Sequence, residues 1–320
     1  MRKLAIGSIA LLATLALVGA AAAGTAFPNK RITYNICFNP GGESDITARF
    51  QEQPLKKVLG QDIAINYKIG GGGALCWADL VKTKPDGYTI AGHNLPHTVL
   101  QPLEMGNAGY NTLDLKQIYF FESTPNLLLV RTDSPFKTLK DFVEHAKKTP
   151  GAVTVGGSGT SSANDLGTTM LNKAAGIQLT YVPFGGTGSA IPALLGSHVT
   201  ALMSYSTMGV QYAGKFRALA IASDTRMDVL PDVPTFKELG YNIVEGAYRG
   251  VAVPPGTPDD VVKVLANAFE AVHKDPEVRK KMDQNGFKTE LMGPEASLNL
   301  VKKKMVEYEV IMKELGRIKK

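Results

Sequence analysis

"NICFNPGGESDIT", residues 35–47, carries an apolar, strand-like run into Pro40-Gly41-Gly42 and out through Ser44-Asp45 into a polar helical stretch. "YKIGGGGALCWA", residues 67–78, repeats the arrangement further along the chain. A glycine-rich turn between strand and helix leaves backbone N–H groups exposed at the helix N-terminus, and these attract an anion. Whether such an anion is transformed or only held decides what the chain is for.

Outward from the two turns, strand and helix signals alternate. Strands are expected at 31–38, 63–67 and 88–91, with helices at 45–59 (Ser44 as its candidate cap) and 74–82. That is β-α-β-α-β, the pattern of a parallel sheet wound with helices. After a loop at 101–114 a second series begins. Strands at 116–121 and 127–131 precede a helix at 139–148, and a strand at 153–155 ends in "GGSGTSSAND". A helix at 165–175 and a strand at 179–184 lead to a fourth turn, "GGTGS" at 185–189. A helix at 190–195, strands at 199–203, 217–222 and about 248–253, and helices near 259–273, 276–285 and 295–315 complete the chain. Glycine-rich turns thus fall two to each α/β unit. Ligands of open α/β sheets bind at the carboxyl ends of strands, so two wound α/β lobes facing each other would enclose a cleft.

The chain opens Met1-Arg2-Lys3, runs apolar from Leu4 to about Val18, and continues into the small-residue tract 19–26. This reads as a cleaved export signal over 1–26, because the apolar core is shorter than a spanning helix requires. Without Arg2 and Lys3 the formal net charge falls from +6 to +4, and the Lys and Arg residues are dispersed. Nucleic acid is therefore not an expected partner. Cys37 and Cys76 are the two cysteines, each beside one of the first two turns. In an oxidising compartment they can pair; two separate buried thiols fit the sequence equally well.

The enzyme motifs that the sequence approaches are each incomplete. Gly156–Thr160 resembles a nucleophile elbow, but Thr160 stands where the last glycine of G-x-S-x-G belongs. His93-Asn94-Leu95-Pro96-His97 has zinc-helix spacing, yet Asn94 replaces the glutamate base and Pro96 argues against a helix. Neither early turn continues into the Lys-Ser/Thr of a P-loop, and Gly70–Gly73 lacks the third glycine of a dinucleotide motif. No catalytic residue, metal site or cofactor is expected.

Six blocks in order, "CFNPGGESDITAR", "LGQDIAINYKIGGGGA", "KPDGYTI", "YVPFGGTGSAIPALLGSHV", "LPDVPTFKELGY" and "AVPPGTPDDVVKVLANAF", resemble the substrate-binding proteins of tripartite tricarboxylate transporters, the TctC or Bug type. The resemblance implies a two-lobed periplasmic binding protein, type II-like, with its ligand cleft between the lobes. It further implies that Pro40, Gly41, Gly42 and Asp45, with Gly71, Gly72 and Gly73, hold one carboxylate of a ligand. The opposing lobe would supply Ser158, Gly159, Thr160 and Ser161, and Gly185, Gly186 and Thr187. Amides, hydroxyls and ordered water suffice for such binding. Phe38, His93, Asn94 and Ser204 are added as neighbours of these turns, with a structural loop role assigned to His97. Arg249 is either a bidentate partner for a ligand carboxylate or a hinge salt bridge. Cysteine stands at 37 and 76 where the family usually has proline and glycine, which favours a bridge. The strand 200–206, "TALMSYS", lacks the acid that would suit an amino-bearing ligand.

The expectation is therefore a monomeric, non-enzymatic periplasmic receptor for a small organic carboxylate, with di- and tricarboxylates favoured. It would close its lobes on the ligand and deliver it to membrane transporter subunits. The lobes are expected over 27–125 with 246–320, and over 126–245, hinged near 122–127 and 240–250. Two alternatives are a receptor presenting its ligand to a membrane sensor kinase and a secreted enzyme acting on a carboxylic acid.

Overall fold

The computed structural model describes residues 27–318; the expected export signal lies outside the described residues. Five strands form the first part of a mixed sheet, in the order β2 (Ile63–Tyr67), β1 (Ile32–Ile36), β3 (Thr89–Leu95), β9 (Gly246–Val253) and β4 (Lys116–Arg131). β1 pairs in parallel with β2 and β3, while β9 runs antiparallel to β3 and β4. Beyond β4 the order continues β7 (Ala201–Tyr205), β5 (Thr154–Gly157) and β6 (Thr180–Pro183), all three mutually parallel. β8 (Phe216–Ile221) and β10 (Lys288–Met292) pair with opposite ends of β4.

The helices pack on these strands. Ile32, Tyr34, Ile36 and Ile90 are buried against Leu265 and Phe269 of α8 (Asp259–Lys274) and Leu55 of α1 (Glu43–Leu59). A second core gathers Leu128, Val155, Ala201 and Met203 around Phe142 of α4 (Leu139–Lys148) and Leu171 of α5 (Ala163–Ala175). Each fully buried large apolar side chain contributes roughly 1.5–3 kcal/mol. Local signals mark the ends. Acidic Glu43 and Asp45 occupy the first turn of α1, Lys56 and Lys57 its last, and Gly60 closes it at φ 66°. Ser44 does not cap this helix: α1 starts two residues earlier than expected, at Glu43, with Gly42 at the N-cap.

Two expectations about elements are corrected. The strands expected at 116–121 and 127–131 are one sixteen-residue strand, β4. The polar run Glu122–Asn126 looked like a break, but Glu122, Thr124 and Asn126 are buried and face inward at alternate positions. The stretch after His93 is a helix, α3 (His97–Met105), despite Pro96. That proline stands at its N-cap, where no N–H donor is lost to the helix. The remaining helices are α2 (Ala74–Leu80), α6 (Thr187–Leu195), α7 (Ser206–Gln211), α9 (Pro276–Gln284) and α10 (Pro294–Glu314). Among the described residues no helix is long and apolar enough to cross a membrane.

Cys37 and Cys76 form a disulfide, with 5.3 Å between Cα atoms and a sequence separation of 39. It ties the end of β1 to α2, so the first two glycine turns are cross-linked at their bases. Closing a loop of this length restricts the unfolded chain by roughly 2–4 kcal/mol. The paired Cys37→Ser/Cys76→Ser variant should therefore unfold at lower urea concentration by that amount. Dithiothreitol should produce the same shift in the wild type and none in the variant.

Candidate functional site

The four turns meet in pairs. The first, 37–42, faces the fourth, 185–188: the Asn39 N–H donates to the Gly185 carbonyl at 3.1 Å, and the Glu43 N–H to Thr187 Oγ1 at 3.3 Å. The approach is backbone to backbone. A Cβ on Gly188 would lie 2.2 Å from the Pro40 carbonyl oxygen, and one on Gly185 2.2 Å from Asn39 Oδ1. The second turn faces the third in the same way, because a Cβ on Gly72 would lie 3.0 Å from the Thr160 carbonyl oxygen. Gln101 of α3 holds this second turn by donating to the Gly71 and Gly72 carbonyls at 3.2 and 2.7 Å.

Between the paired turns lies a small cavity. It is lined by Phe38, Gly42, Glu43, Ser44, Asn94, His97, Ser158, Gly186, Thr187, Tyr205 and Arg249. Its volume of about 10 Å³ is roughly the room one water needs. A small organic acid can enter only if the turns separate or side chains move. A larger hollow of about 340 Å³ adjoins 123–125 and 244–248 but touches none of the four turns.

Of the residues expected in the site, Phe38, Gly42, Asn94, Ser158, Gly186, Thr187 and Arg249 line this cavity. Pro40, Gly41 and Gly185 belong to the first pair of turns and Gly71, Gly72, Gly73, Gly159 and Thr160 to the second, and none of them is among the lining residues. Asp45 does not line it. Its carboxylate accepts from the Gly41 N–H at 2.8 Å, Arg49 Nε at 2.9 Å and Tyr67 Oη at 2.6 Å, so it shapes the turn from behind. Ser161 donates its N–H to Asp165 at 2.9 Å and its hydroxyl to Glu104, which also pairs with Arg317. His93 is outside the cavity, bonded to Thr98 Oγ1 at 2.9 Å and packed on Phe120. Ser204 is also absent from the lining, and the next residue on β7, Tyr205, reaches it instead.

His97, read from sequence as a structural loop residue, faces the cavity. Its ring packs edge-on against Phe38 at 5.3 Å, and neither ring nitrogen has a protein partner. Burial, reinforced by the Arg249 charge, pushes its pKa down to about 3, so the ring is neutral and offers one donor and one acceptor. Glu43, Ser44 and Tyr205 are the other cavity residues that sequence reasoning passed over. An acid in a helix's first turn ordinarily complements the helix dipole, so Glu43 carried no distinctive signal. Its spacing of one helical turn from Thr47 did place both on one face.

Glu43, Arg249 and Glu122 make a buried charged cluster, each at most 4% exposed. Arg249 pairs with Glu43 and lies 3.9 Å from Glu122, with its guanidinium 4.6 Å from the centre of the Tyr205 ring. Glu43 accepts from the Thr207 hydroxyl and from Thr124 Oγ1 at 3.3 Å, and Thr124 in turn accepts from Arg249 Nη1 at 2.6 Å. These donors suit an ionised Glu43. Glu122 differs. Thr47 Oγ1 lies 3.0 Å from the Glu43 carbonyl oxygen, which can only accept, and 2.9 and 3.0 Å from the two Glu122 oxygens. Thr47 has one proton to share between the Glu43 carbonyl and the Glu122 carboxyl, so Glu122 receives at most one hydroxyl donor. Burial, opposed by Arg249 and reinforced by Glu43, pushes the Glu122 pKa up to about 8. Burial raises the Glu43 pKa too, opposed by Arg249 and by the Thr207 and Thr124 hydroxyls, so the cluster balances its charge with one proton held between its two carboxyls.

A pH dependence follows. Folded Glu122 keeps its proton up to about pH 8, whereas an unfolded glutamate releases it near 4.5. The folded state therefore binds more protons in that window, and stability falls as pH rises through it. Glu122→Gln, which cannot ionise, should flatten the fall between pH 4.5 and 8 by on the order of a few kcal/mol. Urea midpoints of both proteins at pH 5 to 9 check this; parallel profiles would contradict it.

With this geometry in hand, the chain can be set beside known proteins. Residues 47–317 match the model of the tripartite tricarboxylate transporter family receptor, TctC. The UPF0065 protein of the gbd 5′ region of Cupriavidus necator is 29% identical over 95% of this chain and 93% of its own length. The structure of the periplasmic binding protein BugD is 29% identical with a TM-score of 0.87, covering 92% of this chain and all of its own. MatC from Rhodopseudomonas palustris is 28% identical with a TM-score of 0.85, covering 89% of this chain and 99% of its own. The paired glycine turns, the curled mixed sheet and the family match over most of the sequence agree: this chain belongs to the tripartite tricarboxylate transporter receptor family.

Proposed function

We propose that this protein is an exported periplasmic receptor that closes over a small organic carboxylate and passes it, unchanged, to membrane subunits of a tripartite transporter. The observation that carries the reading is the cavity where opposing glycine turns meet. Arg249, His97 and Thr187 converge there as polar groups, and no lining hydroxyl is hydrogen-bonded to His97 as a nucleophile would be to its base. The structure of MatC, 28% identical, contains bound malate. In this reading the lobes are 27–125 with 246–320, and 126–245. The hinges lie within β4 at 122–127 and in the return segment 240–250, and the receptor acts as a monomer. Ligand contacts across the cleft favour the closed arrangement over an open one.

The test is a thermal-shift screen of the mature protein against a carboxylate panel, with native mass spectrometry of the purified material. A ligand at a hundred times its Kd adds roughly 2.7 kcal/mol, a rise of about 5–10 °C for a protein of this size. A selective shift, with the ligand recovered intact, supports the receptor. Conversion of the ligand would revive the enzyme. No shift across the panel, and no co-purified acid, would overturn the assignment.

A further inference from the structure

We propose that the ligand of this cleft carries a cationic nitrogen as well as a carboxylate, and that Glu43 is the residue that selects it. The inference rests on the receptor reading above and narrows its ligand class.

The argument is one of charge and partners. The cavity lining contains one cation, Arg249, and one carboxylate, Glu43, paired with each other. Both His97 ring nitrogens are buried without a hydrogen-bond partner, and Arg249 lines the same cavity. These groups point to an acceptor on the ligand, and a carboxylate supplies it. Once a ligand carboxylate engages Arg249, Glu43 loses its counter-charge and keeps only the Thr124 and Thr207 hydroxyls. Glu43 is 2% exposed, so water cannot compensate. A plain dianion would add like charge beside it. An ammonium or other cationic nitrogen on the ligand restores the balance by taking Arg249's place at Glu43. The remaining polar lining, Ser44, Asn94, Ser158 and Thr187, is neutral and discriminates neither way. The acid missing from the 200–206 strand is thus supplied by the first turn of α1.

The experiment is calorimetric titration with matched acids differing by one amino group: aspartate with succinate, glutamate with glutarate, alanine with propionate, and 4-aminobutyrate with butyrate. Citrate, malate and benzoate complete the panel. The wild type should bind the amino member of at least one pair roughly ten- to a hundredfold more tightly, the effect of one charge pair in a partly screened site. Glu43→Gln should bring that ratio to within about threefold. The wild-type comparison stands even if the variant folds poorly. Equal or tighter binding of the amino-free members, or of citrate, malate or benzoate alone, overturns the inference and leaves the receptor reading intact. A preference that survives Glu43→Gln overturns the role of Glu43. Binding of nothing in the panel removes the carboxylate receptor and this inference together.

Discussion

Arg249→Met is expected to destabilise the protein by about 3–5 kcal/mol, the usual cost of stranding one member of a buried ion pair. For a protein of this size the melting temperature should fall by roughly 6–20 °C. Methionine replaces the hydrocarbon stem of the arginine but not the guanidinium that lies over the Tyr205 ring, so the loss is mainly electrostatic. Glu43 would be left with two hydroxyl donors and no counter-charge, and Glu122 would lose the opposing field that restrains its pKa. Adding Glu43→Gln to Arg249→Met removes both charges of the pair and should recover most of the stability. Chemical denaturation of the wild type, both single variants and the double variant measures the coupling. Additive effects would show that the two residues do not stabilise each other. Ligand binding should be lost in both Arg249 variants, because the cavity then has no cation.

Gly188→Ala should weaken ligand binding at least a hundredfold while leaving the melting temperature of the ligand-free protein within about 2 °C, if that protein rests with its turns apart. Gly188 lies in the first turn of α6 with ordinary helical backbone, so alanine is locally acceptable there and even favoured. The obstacle arises only across the cleft, where the added methyl would lie 2.2 Å from the Pro40 carbonyl oxygen and 3.1 Å from the Gly42 nitrogen. Both are backbone atoms and cannot swing aside as a flexible side chain could. An open arrangement has no such contact. Small-angle scattering should show the variant remaining extended at ligand concentrations that compact the wild type. Wild-type affinity in the variant would mean that the first and fourth turns do not need to touch for binding.

Both predictions concern contacts between segments far apart in the chain, and these divide what local pattern conveys from what it does not. The strand-turn-helix rhythm and the four glycine turns were legible because each depends on neighbouring residues: period-two or helical burial, and glycine where φ is positive, as at Gly41 and Gly72. The ordered blocks that resemble the TctC receptors were legible for the same reason. The continuity of β4 was not, since its polar middle is buried by partners on β9 and α1 rather than by anything adjacent in sequence. Nor was the choice of His97 over His93. That depends on a proline starting a helix where proline more often argues against one.

The cluster at the centre of the cleft belongs wholly to the tertiary structure. Glu43, Glu122 and Arg249 come from three separate elements, α1, β4 and β9, and each taken alone resembles an ordinary surface charge. Burial and proximity give them their meaning, because a charge removed from water must find a partner or a proton. Amino-acid order therefore prescribed the wound α/β elements and the turns that build the cleft. Only the packing of those elements decided which charges share it, and hence which ligand it can hold.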